Sequence, residues 1–325
     1  MLNRRELLAA GAAAATTGLA PSALAQTSFP TKPIKMVVPF PPGGTGDIQA
    51  RMIGEYMGRA LGQPVVIENK AGGGTIIGSG FVAKSPADGH TLLLMANSFV
   101  INAKLHATTL PYDGMKAFEP VACLTNSPQL VAVNAASPYK TFKEFIDAAK
   151  ARPNTISYAT VGPATTQHIA GEMLQRAAGI RLIYTPFAGG APSVNAVVAG
   201  HVDMVLQNLS EMQSFIEAGK MRALAVTTPH RLDTLKQVPT VAESGYPGYE
   251  AAAWFGLSAP AGTPRDVIAR LAKAATDALA DAEIKKKLIG VGLEPYSMGP
   301  AQFAAHIADQ YAKYSKVIDE AGIKA

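Results

Sequence analysis

Short runs of aliphatic and β-branched residues alternate with helical stretches along most of this chain, and that alternation restricts its fold more than any other feature. Lys35-Met36-Val37-Val38-Pro39-Phe40 reads as a strand. A glycine-rich turn follows, then a helix whose apolar positions Ile48, Met52, Tyr56 and Ala60 recur every four residues. Residues 64–69, with Val65, Val66 and Ile67 as a buried run, give a second strand, and residues 91–96 a third. The pattern resumes with strands at 156–160, 181–185, 204–207 and 222–227. Helices are expected at 142–151, 166–178, 193–199 and 211–218. A strand–helix–strand order of this kind folds as a parallel sheet covered by helices on both faces. The last third is mainly helical. Thr263-Pro264-Arg265-Asp266 supplies a capping hydroxyl, a first-turn proline and an acid. Phe303, Ile307, Tyr311, Tyr314 and Ile318 form one stripe of a closing helix. Two series of similar build predict two lobes, lobe 1 from residues 26–125 with 228–325 and lobe 2 from 126–227. The chain would cross between them at 121–134 and around Thr227.

A chain of 325 residues, 48% hydrophobic and 16% charged, has ample apolar material for two cores. Its formal charge of +5 is scattered, with only Lys285, Lys286 and Lys287 in a run, so it lacks the concentrated basic face of a nucleic-acid binder. Cys123 is the only cysteine, which rules out an intrachain disulfide and a cysteine-based metal site. At the N-terminus Arg4 and Arg5 precede an apolar stretch and the small residues Ala23-Leu24-Ala25, which reads as a signal peptide over residues 1–25. The Arg pair suits twin-arginine export, and the general secretion route stays open. Either route leads to an exported protein, expected in the periplasm.

Two loops stand out as candidate ligand sites. Phe40-Pro41-Pro42-Gly43-Gly44-Thr45-Gly46-Asp47 lies between a strand end and a helix start. Its glycines let backbone N–H groups approach a ligand, and the helix N-terminus favours an anion. A plain turn, with Asp47 capping and bracing it, is the competing reading. Thr160-Val161-Gly162-Pro163-Ala164-Thr165-Thr166-Gln167-His168 again joins strand to helix. Thr165 or Thr166 can cap the helix and still face a ligand, while His168 reads either as an anion donor or as a structural histidine. One such loop from each lobe would clasp a ligand from both sides, outside the carboxyl ends of the strands.

The other motifs favour no chemistry. Gly72-Gly73-Gly74 and Gly78-Ser79-Gly80 fail the dinucleotide spacing and lack a phosphate-binding lysine, leaving a tight turn and helix start. There is no G-x-S-x-G elbow and no H-E-x-x-H, and the six histidines are dispersed without ligand spacing. Asp203 and Glu211 read as surface or capping carboxylates, and Trp254 and Phe255 as core. No catalytic residue, metal ligand or cofactor is expected.

Ordered stretches along nearly the whole exported part resemble the Bug family of periplasmic receptors for tripartite tricarboxylate transporters. They are Pro33-Ile34-Lys35-Met36-Val37-Val38-Pro39-Phe40-Pro41-Pro42-Gly43-Gly44 with Asp47, Val65-Val66-Ile67-Glu68-Asn69-Lys70-Ala71-Gly72-Gly73-Gly74, and Ser85-Pro86-Ala87-Asp88-Gly89-His90-Thr91-Leu92-Leu93. Further on come Gly200-His201-Val202-Asp203, Gly219-Lys220-Met221-Arg222-Ala223-Leu224-Ala225-Val226-Thr227, Val238-Pro239-Thr240-Val241-Ala242-Glu243 and Ala259-Pro260-Ala261-Gly262-Thr263-Pro264. The resemblance implies a type II periplasmic binding protein fold, two lobes each with a central mixed or mostly parallel sheet flanked by helices. It implies a small di-, tri- or aromatic carboxylate held by backbone N–H groups and water at residues 42–47 and 160–166, with Ser98 near a cleft-lining hydroxyl. It also implies a monomer that delivers its solute to the transporter's membrane subunits. Ala164-Thr165 and Phe187-Ala188-Gly189 depart from the family's usual Gly-Ser and Tyr-Lys-Gly, so a lysine is missing. If Phe40 and Phe187 both face the cleft, they favour a ligand with an apolar body. A ligand-presenting partner of a membrane sensor, and an exported enzyme on the same fold, are the rival functions.

Overall fold

The computed structural model describes residues 29–323, so the signal peptide expected at residues 1–25 lies outside the described residues. Strands β1 (Ile34–Val38), β2 (Val65–Asn69) and β3 (Thr91–Ala96) are parallel, with β1 between the other two. β3 then pairs antiparallel with β9 (Ala252–Pro260), and β9 with the first part of β4 (Phe118–Asn134). β10 (Glu294–Met298) adds to β4. In the second lobe β5 (Ser157–Thr160) is parallel to β6 (Ile183–Pro186) and to β7 (Met204–Asn208). The end of β4 lies between β7 and β8 (Met221–Val226), antiparallel to both. The result is α/β, with a mixed sheet in each lobe and β4 common to the two.

Period-two side-chain alternation decides which core each residue enters. On β1, Ile34, Met36 and Val38 enter one cluster and Val37 the opposite one. The first cluster is closed by α1 (Thr45–Leu61), α8 (Arg265–Ala280) and α9 (Ala282–Gly290). The second is closed by α3 (Asn97–Leu105) and α10 (Pro300–Ala321), with α2 (Ile76–Ala83) beside them. On β4, Val131 and Val133 pack under α4 (Phe142–Ala151) and α5 (Thr166–Ala178). Leu130 and Ala132 pack under α6 (Gly190–Val198) and α7 (Leu209–Glu217).

β4 runs through both sheets without a break. Up to Pro128 it pairs with β9, and from Gln129 onward with β7 and β8. The return crossing is tied at Thr227, whose hydroxyl donates to the carbonyls of Gln129 (2.9 Å) and Ala251 (2.5 Å).

Four local expectations are corrected. The buried stripe of α1 is Ile53, Met57 and Leu61, one position on from the anticipated one, and Ala60 is exposed. β2 is an edge strand, so Val66 is 52% exposed rather than buried. The Thr263 hydroxyl donates to the Pro260 carbonyl instead of capping α8. Trp254 is core, but Phe255 both packs in the core and reaches the cleft described next.

Candidate functional site

Five helices begin at the carboxyl ends of strands around one cleft between the lobes. These are α1 after β1, α3 after β3, α5 after β5, α6 after β6 and α7 after β7. Each contributes its N-terminal residues to the walls: Thr45 and Gly46, Ser98, Thr166 and Gln167, Gly190 and Ala191, and Glu211. First-turn N–H groups have no partner within their own helix and carry partial positive charge, so the cleft is lined by donors that must find partners elsewhere. Only α5 satisfies part of this internally, through the Thr165 hydroxyl that accepts from the His168 N–H (3.3 Å). The N-caps of the other four, Gly44, Ala96, Gly189 and Asn208, make no side-chain cap. Among the described residues no lysine, arginine or histidine lines the cleft. Phe40, Pro41, Pro192, Ala253 and Phe255 supply apolar wall. The enclosed space for water centres is about 60 Å³, room for roughly four waters or a short organic acid.

Eight of the fourteen residues singled out from sequence border this space: Phe40, Pro42, Gly44, Thr45, Gly46, Ser98, Thr165 and Thr166. The other six stand behind it. Gly43, at φ +77°, donates its N–H to the Asp47 carboxylate (3.0 Å). Asp47 is buried and also accepts from Arg51 (2.9 and 3.0 Å) and Asn69 (3.0 Å). Burial lifts its pKa, but the Arg51, Gly43 and Asn69 hydrogen bonds outweigh that and leave it below the ordinary carboxylate value. Asp47 therefore braces the loop. Thr160 is wholly buried and accepts from the Gly162 N–H (3.3 Å). His168 packs against the Tyr184 ring at 4.6 Å, and burial pushes its pKa down against the pull of Glu172. Phe187 packs on the core beneath α6 and α7.

Sequence reasoning missed the third turn, Gly189-Gly190-Ala191-Pro192, and it misassigned Glu211. Asp203 does lie at the surface, accepting from the Ser157 N–H (2.8 Å) and hydroxyl (2.6 Å) at the start of β5. The Glu211 carboxylate is instead drawn into the cleft. Its Oε1 accepts from the Thr45 N–H (3.0 Å) and hydroxyl (2.8 Å) of the opposite lobe. Thr45 Oγ1 also meets Ser210 Oγ (2.7 Å) and accepts from Asn208 Nδ2 (3.0 Å). Glu211 Oε2 is buried with no hydrogen-bond partner. It lies so close to Gly190 that a Cβ there would be 1.2 Å away, so any larger residue would have to push the carboxylate aside. Burial raises the Glu211 pKa above its ordinary value, and the two Thr45 bonds offset only part of this. The paired glycines at 189 and 190 were the available sequence signal.

Among the described residues no three His, Cys, Asp or Glu side chains group as a metal site, and no helix is long and apolar enough to cross a membrane.

The family described as "Tripartite tricarboxylate transporter family receptor" matches residues 49–323. The solved structure of the periplasmic binding protein BugD is 33% identical with a TM-score of 0.86, covering 91% of this chain and 99% of that one. A Rhodopseudomonas palustris protein solved with adipate is 33% identical at a TM-score of 0.87, with 91% and 99% covered. MatC of Rhodopseudomonas palustris, solved with bound malate, is 30% identical at 0.83, with 89% and 100% covered.

Proposed function

This chain belongs to the tripartite tricarboxylate transporter receptor family, a family of solute-binding receptors, and from that premise we propose how and where it binds. It captures the carboxylate of a small organic acid in the cleft between its lobes. The head group is received by N–H groups at the starts of α1 and α5, at Gly44, Gly46 and residues 165–167, with the Ser98 hydroxyl beside them. Asp47, Thr160 and Gly162 hold those turns in shape. The lobes close over the solute by bending where β4 and the Thr227 segment cross between them. Closure removes water and strengthens each N–H···O⁻ bond. The protein works in the periplasm as a monomer and hands its solute to the membrane subunits of a tripartite transporter.

One observation carries this reading: five helix N-termini meet at one cleft that has no basic side chain. An anion bound there is held by oriented backbone dipoles, which read a carboxylate head without requiring a counter-charge. The two relatives solved with adipate and malate support a carboxylate as the solute. The apolar walls at Phe40 and Phe255 suit a hydrocarbon body behind the head.

Thermal denaturation against aliphatic, hydroxylated, dicarboxylic and aromatic acids tests it. A true ligand at about 100 times its Kd stabilises the fold by about 2.7 kcal/mol. A panel in which no acid raises the melting temperature would refute carboxylate capture.

A further inference from the structure

The cleft built to receive an anion already contains one acidic side chain, and nothing in its lining neutralises it. Glu211 Oε1 holds the Thr45 N–H and hydroxyl across the lobes. Glu211 lines the same space, and its Oε2 is buried against the bare backbone of Gly190 with no hydrogen-bond partner among the described residues. The surrounding elements offer no relief. Helix α6 and strand β7 carry no titratable residue. Asp47 of α1 is committed to Arg51, Asn69 and Gly43. The other acid of α7, Glu217, accepts from Gln213 two turns away from the cleft end of that helix.

A buried carboxylate oxygen with no donor is a standing demand for one, and a donor group on the solute would meet it. We propose that Glu211 sets which carboxylates this receptor takes: it selects acids that carry a hydroxyl, N–H or ammonium group facing Oε2, and discriminates against acids that place a second ionised carboxylate there. The donor-bearing acid satisfies Oε2 directly. The dianionic acid puts two like charges side by side in a dry cleft with no cation, and enters only by bringing a proton from solvent. This inference rests on the carboxylate reading above and narrows its solute class.

Isothermal titration at roughly pH 8, where free carboxylic acids are ionised, separates the two ideas. The probes are γ-hydroxybutyrate and γ-aminobutyrate against glutarate and adipate, with wild-type protein, Glu211→Gln and Glu211→Ser. Glu211→Gln keeps an acceptor for Thr45 and so preserves the cross-lobe contact, and Glu211→Ser removes the acid with little bulk. The donor-bearing acids are expected to bind wild type at least about tenfold more tightly than the dicarboxylates, and both variants to reduce that ratio to within about threefold. Dicarboxylates that bind wild type as tightly as the donor-bearing acids overturn the proposal, as does a ratio unchanged in both variants. If no acid of either kind binds any of the three proteins, this inference falls, while carboxylate capture stands or falls by the wider thermal panel.

Discussion

Asp47 and Glu211 occupy the same position in two helices, the third residue of α1 and the third residue of α7, yet they face opposite fates. Asp47 is ringed by donors: Arg51 binds both oxygens, Asn69 one and the Gly43 N–H the other. Glu211 has one satisfied oxygen, bound across the lobes, and one with nothing. The first carboxylate is spent on holding a loop, and its pKa falls. The second is left facing a cavity, and its pKa rises. A first-turn acid is usually explained by the helix dipole. That explanation fits both and distinguishes neither, because the surrounding donors decide the role.

Substitution of Asp47 is the severest test of this contrast. Asp47→Ala leaves the Gly43 N–H without its acceptor, takes one of the Asn69 amide's two acceptors and releases Arg51, and it should destabilise the fold by about 3 kcal/mol by urea denaturation. A cost of a few tenths would show that the brace contributes nothing and would dissolve the comparison. A smaller effect sharpens the other side. Gly190→Ala forces a methyl group into the Glu211 carboxylate and should cost about 1–2 kcal/mol. In a Glu211→Ser background most of that cost should vanish, a coupling that a double-mutant cycle measures directly. Equal costs in the two backgrounds would mean that the carboxylate is not seated on Gly190.

The first loop was legible because its signals are local. Glycines, a strand before and a helix after, and an acid three residues into that helix all lie within ten residues. Helices 142–151 and 166–178 were read to their ends for the same reason: each starts at a threonine cap, and α5 stops at Gly179 in the left-handed conformation. What was missed depends on partners distant in the chain. The Thr45–Glu211 contact spans 166 positions and exists only when the two lobes meet. Strand β9 has the run Ala252-Ala253-Trp254-Phe255-Gly256-Leu257, poor in β-branched residues, and it is a strand because β3 and β4 flank it. The face of α1 was misjudged because Ile48, Met52 and Tyr56 form an apolar stripe as plausible as Ile53, Met57 and Leu61. Only the sheet beneath chooses between them.

The smallest expected effect is a pair of opposed pH slopes. Asp47 binds its proton more weakly in the folded protein than its ordinary 3.8, so its contribution is complete above that value and is lost as pH falls through the lower folded one. Glu211 binds its proton more tightly than its ordinary 4.5, so its contribution is complete below that value and is lost as pH rises through the higher folded one. Urea midpoints measured from about pH 2 to about pH 8 should therefore include a decline toward the alkaline side that belongs to Glu211. Glu211→Gln cannot ionise, keeps an acceptor for Thr45, and should remove that decline while leaving the acid limb from Asp47 in place. Wild-type and variant curves that stay parallel across the range would mean that Glu211 ionises in the cleft as freely as in water. The two carboxylates would then differ only in their contacts, not in the free energy of their charge.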